Sequence, residues 1–447
     1  MSGGQACPSK RRQSGGAAIA RLAGETSDNM KKQNDGIWSR PVSEDDLLKW
    51  ESLAIGPALS PYAFGFFTFR MQFPEDYPSS APHIVFLTTN GGKTRFNPNL
   101  YSDGKVCLSI LGTWRGESGE QWSSVQNCQS VMVSIQSLMD DRPYHNEPGF
   151  EKEGGGRRGH SAAAVDEMSN KYNLKITHET LRIGVCDTLE ELLVPDKESI
   201  NCFADIIKWH FLLYFDRYIE IVKKNALTTG SFENMEFEYT RNTMQGTFDF
   251  VALETRLHKI KEQLVEEMNE WRSQGETLSA KEALSASGET YACQQVNSAF
   301  QKWSRTEQPS ISAAPQDNNK FVWNVTIMGD LDGGWYENGI YHLTLTFSPD
   351  FPEVLPRPKF VTKMFHPQIN EDGFPYLSVS MADSKNVVCI LQDIHSLLKR
   401  PPSPDPRTWL NKKAAELYFN GGQEEREEYK RTVRRFAQRS MEEEGPW

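Results

Sequence analysis

The residues in this 447-residue chain best placed for covalent chemistry are a cysteine and the asparagine eight positions before it. They lie in the stretch RFNPNLYSDGKVCLSIL, Arg95 to Leu111. Pro98 fixes its own φ and biases Asn97 towards an extended backbone, so Asn97-Pro98-Asn99 makes a turn. Ser102-Asp103-Gly104 makes a second turn, with Gly104 free to take a positive φ. Cys107 follows on a short lead-in. A thiolate there could attack an acyl carbonyl, and Asn99, folded back over it, offers an amide either to the developing oxyanion or to the loop itself. The spacing leaves both roles open. A single cysteine is more often an inert buried thiol than a nucleophile, so its surroundings must decide.

Those surroundings form an ordered series. Upstream stand Ile55-Gly56-Pro57, Ser60-Pro61-Tyr62, Gly65-Phe66-Phe67 and Phe73-Pro74-Glu75-Asp76-Tyr77-Pro78; downstream come Trp122-Ser123 and VMVSIQSLM from Val131. The series resembles the ubiquitin-conjugating enzymes, in which a His-Pro-Asn turn precedes the thioester cysteine at the same spacing. Asn97 in place of that histidine, LGTWRG from Leu111, and PYHNEPGFE from Pro143 to Glu151 resemble the long class Z branch. The resemblance covers about residues 18 to 270.

It implies a carrier that accepts ubiquitin, or a ubiquitin-like modifier, from an activating enzyme as a thioester on Cys107. The modifier then passes to a substrate lysine or to a ubiquitin ligase. Asn99 is implied as oxyanion or loop stabiliser, with Asn97, Pro98, Gly104 and Trp122 in support. Related enzymes place a polar residue near the cysteine to orient or deprotonate the attacking amine. Asp140, Asp141 and Asn146 are the candidates here. No cofactor is implied in this chain, because the activating enzyme uses the ATP.

Composition sets outer bounds. A hydrophobic content of 38% and an aromatic content of 11% can fill real cores. The net charge of −11 argues against general nucleic-acid affinity, which needs clustered Lys and Arg. No apolar run approaches membrane-spanning length and no secretory core opens the chain, so a cytoplasmic or nuclear protein is expected. The seven cysteines, at 7, 107, 128, 186, 202, 293 and 389, contain no C-x-x-C pair, so no metal site is expected and reduced thiols are. His178-Glu179 lacks the second histidine of a zinc motif and reads as a helix face. Two other functional classes are consistent with a lone cysteine. A non-catalytic binding scaffold would have no working thiol, and a cysteine hydrolase would need a histidine beside it. His83 and His145 are the nearest, without a recognisable signature.

An α+β fold is expected to position these residues. Strand-like runs within Leu47 to Phe73, around the Gly56–Tyr62 turn, and at Ile84 to Leu87 lack helix-length crossovers, so they read as an antiparallel meander. The resemblance makes this a four-stranded meander flanked by helices. Val131, Ile135, Leu138 and Met139 recur at helical spacing, with Ser123 or Ser124 as the expected cap. The expected domains are a disordered leader (1–17), a catalytic core (18–160), a helical extension of that core (161–272), a polar linker (273–289) and a second domain of the same kind (290–447). The first helix, from Ala18 to Gln33, is implied by the resemblance to help engage the activating enzyme.

The second domain is a repeat. Phe347 to Pro352 echoes Phe73 to Pro78, and Phe365-His366-Pro367-Gln368-Ile369 echoes Phe96 to Leu100. An offset of 269 residues, as from Pro98 to Pro367, puts Gln368 at the place of Asn99 and Tyr376 at the place of Cys107. A phenol cannot form a thioester. This half resembles the catalytically inactive conjugating-enzyme variants, and Cys389, 13 residues further on, reads as a buried thiol.

Overall fold

Alternation of apolar and polar side chains builds the first sheet. The structure is a computed structural model describing residues 11–32, 35–114, 119–150, 161–194, 201–238, 244–284, 290–329 and 334–442. After helix α1 (Arg11–Lys31) come β1 (Ile37–Ser43), β2 (Asp46–Ile55), β3 (Phe66–Gln72) and β4 (His83–Phe86), antiparallel in that spatial order. On β3, Phe67, Phe69 and Met71 point into the core while Arg70 and Gln72 face out, the period of two that fixes register. Phe67, Phe69, Phe86 and Phe96 meet with ring centroids 5.1–6.4 Å apart. Burying each such ring contributes about 1.5–3 kcal/mol. Helix α2 (Cys128–Leu138) closes this core with Val131, Met132 and Ile135. Its cap is Asn127, whose side chain accepts from Ser130 N, not Ser123 or Ser124 as expected; the helix starts four residues beyond Ser124.

Helix α3 (Ala162–Glu179) continues into a π-helical turn, Thr180–Asp187, where Gly184 lies close to Gly65 and Phe66. The expected helix face at His178-Glu179 is instead buried. Glu179 takes Arg182 and His178, and the His178 Nε2 accepts from Asp249 N. Contacts divide the chain into two compact units, the first comprising residues 1–188 and 227–249. Residues 227–249 are anchored within it by a buried ion pair, Lys175 with Glu238 at 2.6 Å.

The second unit takes residues 189–226 and 250–447. Beyond the short α4 (Thr188–Leu192), its helices are α5 (Ala204–Asn225), α6 (Phe250–Leu284), α7 (Tyr291–Ser304), α8 (Val387–Lys399), α9 (Lys412–Ala415) and α10 (Gln423–Glu442). Its sheet repeats the first meander as β5 (Ile311–Gln316), β6 (Asn319–Met328), β7 (Ile340–Thr346) and β8 (Arg357–Phe360). Each first strand carries a proline opposite a buried tryptophan, Pro41 by Trp50 and Pro315 by Trp323. Proline is tolerated there because an edge strand has backbone groups with no sheet partner.

This arrangement corrects three boundaries. Of the extension expected on the first domain, only α3 and its π-turn stay there, while α5 and α6 pack within the second unit. The expected linker is helical to Leu284, because Gly275, Leu278, Ser279 and Glu282 recur at helical spacing and meet Phe321, the second core and Lys320. Its remainder, 285–289, lies outside the described residues, as do residues 1–10 of the expected leader and 151–160 of the expected core. Helix α1 begins at Arg11, seven residues before Ala18. Among the described residues no helix is long and apolar enough to cross a membrane, and no group of three or more His, Cys, Asp or Glu is disposed to hold a metal ion.

Candidate functional site

Two hydrogen bonds join Asn99 to Cys107. The Cys107 backbone N–H donates to Asn99 O at 2.9 Å, and the Asn99 Nδ2 donates to Cys107 O at 3.0 Å. The Asn99 Oδ1 is buried without a partner. Gly104 makes the return possible. Its φ is +89°, and a Cβ there would come within 2.9 Å of Phe86 O, so only glycine fits without strain.

Asn97 does what an imidazole would do. Its Oδ1 accepts from Asn99 N at 2.9 Å, and its Nδ2 donates to Tyr62 Oη at 2.9 Å and Leu138 O at 2.7 Å. The turn is thereby tied to the C-terminal end of α2. In the second unit His366 occupies the same place, with Nδ1 accepting from Gln368 N at 2.9 Å and Nε2 donating to Leu397 O at 3.1 Å. Trp122 donates its indole N–H to Pro78 O at 2.8 Å and packs near Tyr77, which pins the loop after Cys107.

The expected gate residues stand elsewhere. Asn146 donates to Leu138 O at 3.0 Å, and Asp140 accepts from Arg142 N at 2.9 Å. Burial raises the Asp140 carboxyl above its usual range. The Asp141 side chain is 74% exposed. No hydrogen bond joins any of the three to Cys107 among the described residues; Asn146 holds the end of α2. Cys107 itself is only 1% exposed.

Sequence reasoning passed over what lies against that turn. Tyr101 is half-buried on that turn. Burial raises the phenol above its ordinary range against the pull of the Arg95 cation, so it remains a proton donor at neutral pH. The Arg95 guanidinium carbon lies 4.2 Å from the centre of the Tyr101 ring. Arg95 is 3% exposed, and it donates to Pro98 O at 2.5 Å, Glu147 Oε2 at 3.2 Å and Phe237 O at 3.3 Å. Burial raises the Glu147 carboxyl, with Arg95 opposing. The Arg95 Nε has no partner, a cost of about 1–3 kcal/mol for a buried donor. Arg95 opens the stretch first read for chemistry, yet nothing in the sequence points to Phe237, 142 residues later.

The corresponding turn of the second unit is roofed. Asn370 donates to Leu212 O on α5 at 2.9 Å, Glu371 N donates to Asp216, and Lys261 on α6 pairs with Asp372 at 2.5 Å. Tyr376, in the place of Cys107, is 3% exposed beside His210. Cys389 is half-buried on α8 and close to Asp383, not the fully buried thiol expected.

Comparison with known proteins covers both units. The family described as ubiquitin-conjugating enzyme matches residues 21–167 and 295–437. Ubiquitin-conjugating enzyme E2 Z of Danio rerio is 38% identical over 251 residues, 56% of this chain and 69% of that protein. A probable ubiquitin-conjugating enzyme protein 17 of Caenorhabditis elegans is 42% identical over 204 residues, 45% of this chain and 25% of the relative. The dual E2 ubiquitin-conjugating enzyme/E3 ubiquitin-protein ligase BIRC6 of Homo sapiens is 43% identical over 163 residues, 36% of this chain and 3% of that protein.

Proposed function

The chain belongs to the ubiquitin-conjugating enzyme family, and from that premise we propose that Cys107 carries ubiquitin or a ubiquitin-like modifier as a thioester. The observation that carries the reading is the Asn97-to-Cys107 double turn, with its thiol intact, at the end of a four-stranded meander. In the first step the Cys107 thiol loses its proton and its sulfur bonds to the modifier's C-terminal carbonyl carbon. The bond to the activating enzyme's sulfur breaks, and that sulfur leaves with the electron pair and takes up a proton. In the second, a lysine amine attacks the same carbon, the C–S bond breaks, Cys107 departs as thiolate, and the amine gives its proton to solvent. Transfer to a ligase cysteine follows the first pattern.

Asn99 serves the carbonyl side of this chemistry. Its amide now holds the Cys107 carbonyl, and rotation of the side chain breaks that one bond to present the donor to an oxyanion. Because the thiol is almost fully covered, charging requires the turn's neighbours to shift aside. The partners proposed are an activating enzyme, which uses the ATP, the modifier, a ligase and substrate proteins, in cytoplasm or nucleus. The second unit, with tyrosine where the thiol would be, serves as a non-catalytic binding or stabilising module.

The test is charging of the purified chain with ATP, ubiquitin and activating enzymes of both major types, read on a non-reducing gel. A thiol-sensitive adduct lost in Cys107→Ala and kept in Cys389→Ala is the expected result. No adduct on a folded protein would leave the scaffold reading, which the burial of Cys107 favours.

A further inference from the structure

Between Tyr429 and Met441 the chain carries Lys430, Arg431, Arg434, Arg435 and Arg439 and no acidic residue, although its net charge is −11. All five lie on α10, whose buried face is Tyr429, Val433, Ala437 and Ser440. Positions 431, 435 and 439 are one turn apart, as are 430 and 434, so like charges stand in register along the open side. Such pairs destabilise a helix. The four arginines are exposed, and among the described residues none of them makes an ion pair; Lys430 pairs with Glu427 at 2.9 Å. The helix dipole accounts for Glu424 and Glu425 in the first turn and Arg439 in the last. That effect fades within one turn, and Arg431, Arg434 and Arg435 stand further in.

The same helix forms one wall of a cleft of about 780 Å³. Arg426, Glu427 and Lys430 line that wall, and Trp335, Tyr418 and Phe419 line the other. The Tyr418 ring centroid lies 5.2 Å from that of Trp335 and 4.6 Å from that of Phe419, with the fully buried Tyr429 behind. All three lining rings are only half-buried. A π-helical turn, Glu416–Asn420, carries two of them; such turns are rare and frequent at functional sites. Nor does the fold require the tryptophan. Tyr336 beside it donates to Phe365 O at 2.9 Å, as Tyr62 does to Phe96 O at 2.7 Å, and the residue before Tyr62 is a proline.

We infer that this face of the second unit binds an acidic peptide segment bearing one aromatic side chain, the ring seated in the cleft and the acids laid along the arginines. This deepens the reading of the second unit as a binding module and is independent of the chemistry of Cys107. From Arg426 to Arg439 α10 rises about 20 Å, the span of about six extended residues. Guanidinium forks take carboxylates through paired hydrogen bonds, and a run of carboxylates relieves the repulsion between arginines one turn apart. Tryptophan, tyrosine and arginine are also the residues that carry the centres of protein interfaces. A nucleic acid fits less well. Each nucleotide that seats a base in the cleft brings a phosphate with it, and Glu427 stands in that wall. A peptide's ring brings no charge.

The experiment is fluorescence anisotropy with the full chain and two labelled peptides. One has a tryptophan followed by a run of glutamates spanning that length, and the other has the reverse order, so both directions along α10 are sampled. Saturable binding of at least one is expected, weakened by added salt. Alanine in place of the peptide's tryptophan should weaken it by about 10–100-fold, the worth of one buried ring. Arg431→Gln, Arg434→Gln and Arg435→Gln together should weaken it by about 10-fold. Those three side chains are exposed, so the triple variant should keep its melting temperature. Trp335→Ala, which leaves a gap beside Tyr429, serves as a second reading of the cleft. No saturable binding of either peptide overturns the inference, as does binding indifferent to the peptide's ring or to the three arginines. An oligouridylate of the same length that binds more tightly than both peptides keeps the unit a binding module and overturns the acidic peptide. Charging is read separately on the same protein. A thioester on Cys107 without peptide binding refutes this inference alone, and peptide binding without a thioester refutes the carrier reading alone.

Discussion

The turns at Arg95–Cys107 and Met364–Tyr376 show how much of this double turn is scaffold. Asn97 and His366 differ in type yet make the same two bonds, one accepted from the backbone two residues on and one donated to a helix-end carbonyl. Either side chain serves because both place an acceptor and a donor on opposite sides of a planar group. Gly104 and Gly373 are alike at φ +89° and +92°. What differs is the cysteine against the tyrosine, the residues at 95 and 101 against 364 and 370, and what lies on top. In the first unit Arg95 lies over the Tyr101 ring; in the second, α5 and α6 cover the turn. The family's architecture is thus retained where a tyrosine stands in the place of the cysteine.

The largest expected effect tests that cover. In a Cys107→Ala background, Tyr376→Cys should form no thiol-sensitive ubiquitin adduct, because the new thiol lies beside His210 on a turn that α5 and α6 roof. An adduct would show that the residue type alone separates the two halves.

Asn99 and Gln368 come next. Asn99→Ala should slow discharge to lysine by about 10²–10³-fold and charging far less, since the oxyanion develops during transfer to a poor nucleophile. Gln368, whose Oε1 accepts from Ser403 N at 3.0 Å, is limited to holding its loop. Equal losses in charging and discharge would reduce Asn99 to the same limited role.

The glycines should behave as a matched pair. Gly104→Ala places a Cβ 2.9 Å from Phe86 O, and Gly373→Ala places one almost on the Phe360 carbonyl. With the positive φ added, each should cost about 2–3 kcal/mol, read as a lowered melting temperature of its own unit. A shift in one unit only would break the equivalence.

A swap at 97 and 366 is the smallest and most specific test. Burial pushes His366 down to about 4 from 6.5, and its neutral form is needed for Nδ1 to accept from Gln368 N. The folded state therefore binds fewer protons than the unfolded one between those values. Stability from this group is present above pH 6.5 and is lost as pH falls towards 4. The full span is worth about 3 kcal/mol, of which about 2 is lost by pH 5. His366→Asn should remove that dependence from the second unit, and Asn97→His should confer it on the first while leaving stability at pH 8 within about 0.5 kcal/mol of wild type. Denaturant midpoints at pH 8 and 5, followed by exchange labelling of β2 and β6, would show it.

The sequence by itself determined the double turn, the place of Cys107, the repeat and the loss of its second thiol. These depend on local chemistry, namely proline's fixed φ, glycine's freedom, a cysteine or its absence, and a period of two or about four in apolar residues. β1 was not legible because Pro41 and exposed polar residues give an edge strand little alternation. The ownership of α5 and α6 was not legible either. An amphipathic helix declares that it has an apolar face and says nothing about which core will take it. Tertiary structure alone decided that Asn146 secures a helix end, that Cys107 is covered, and that Glu147 and Phe237 converge on Arg95 beside Tyr101. Convergence of that kind follows from where residues 227–249 return in three dimensions, which no spacing along the chain encodes.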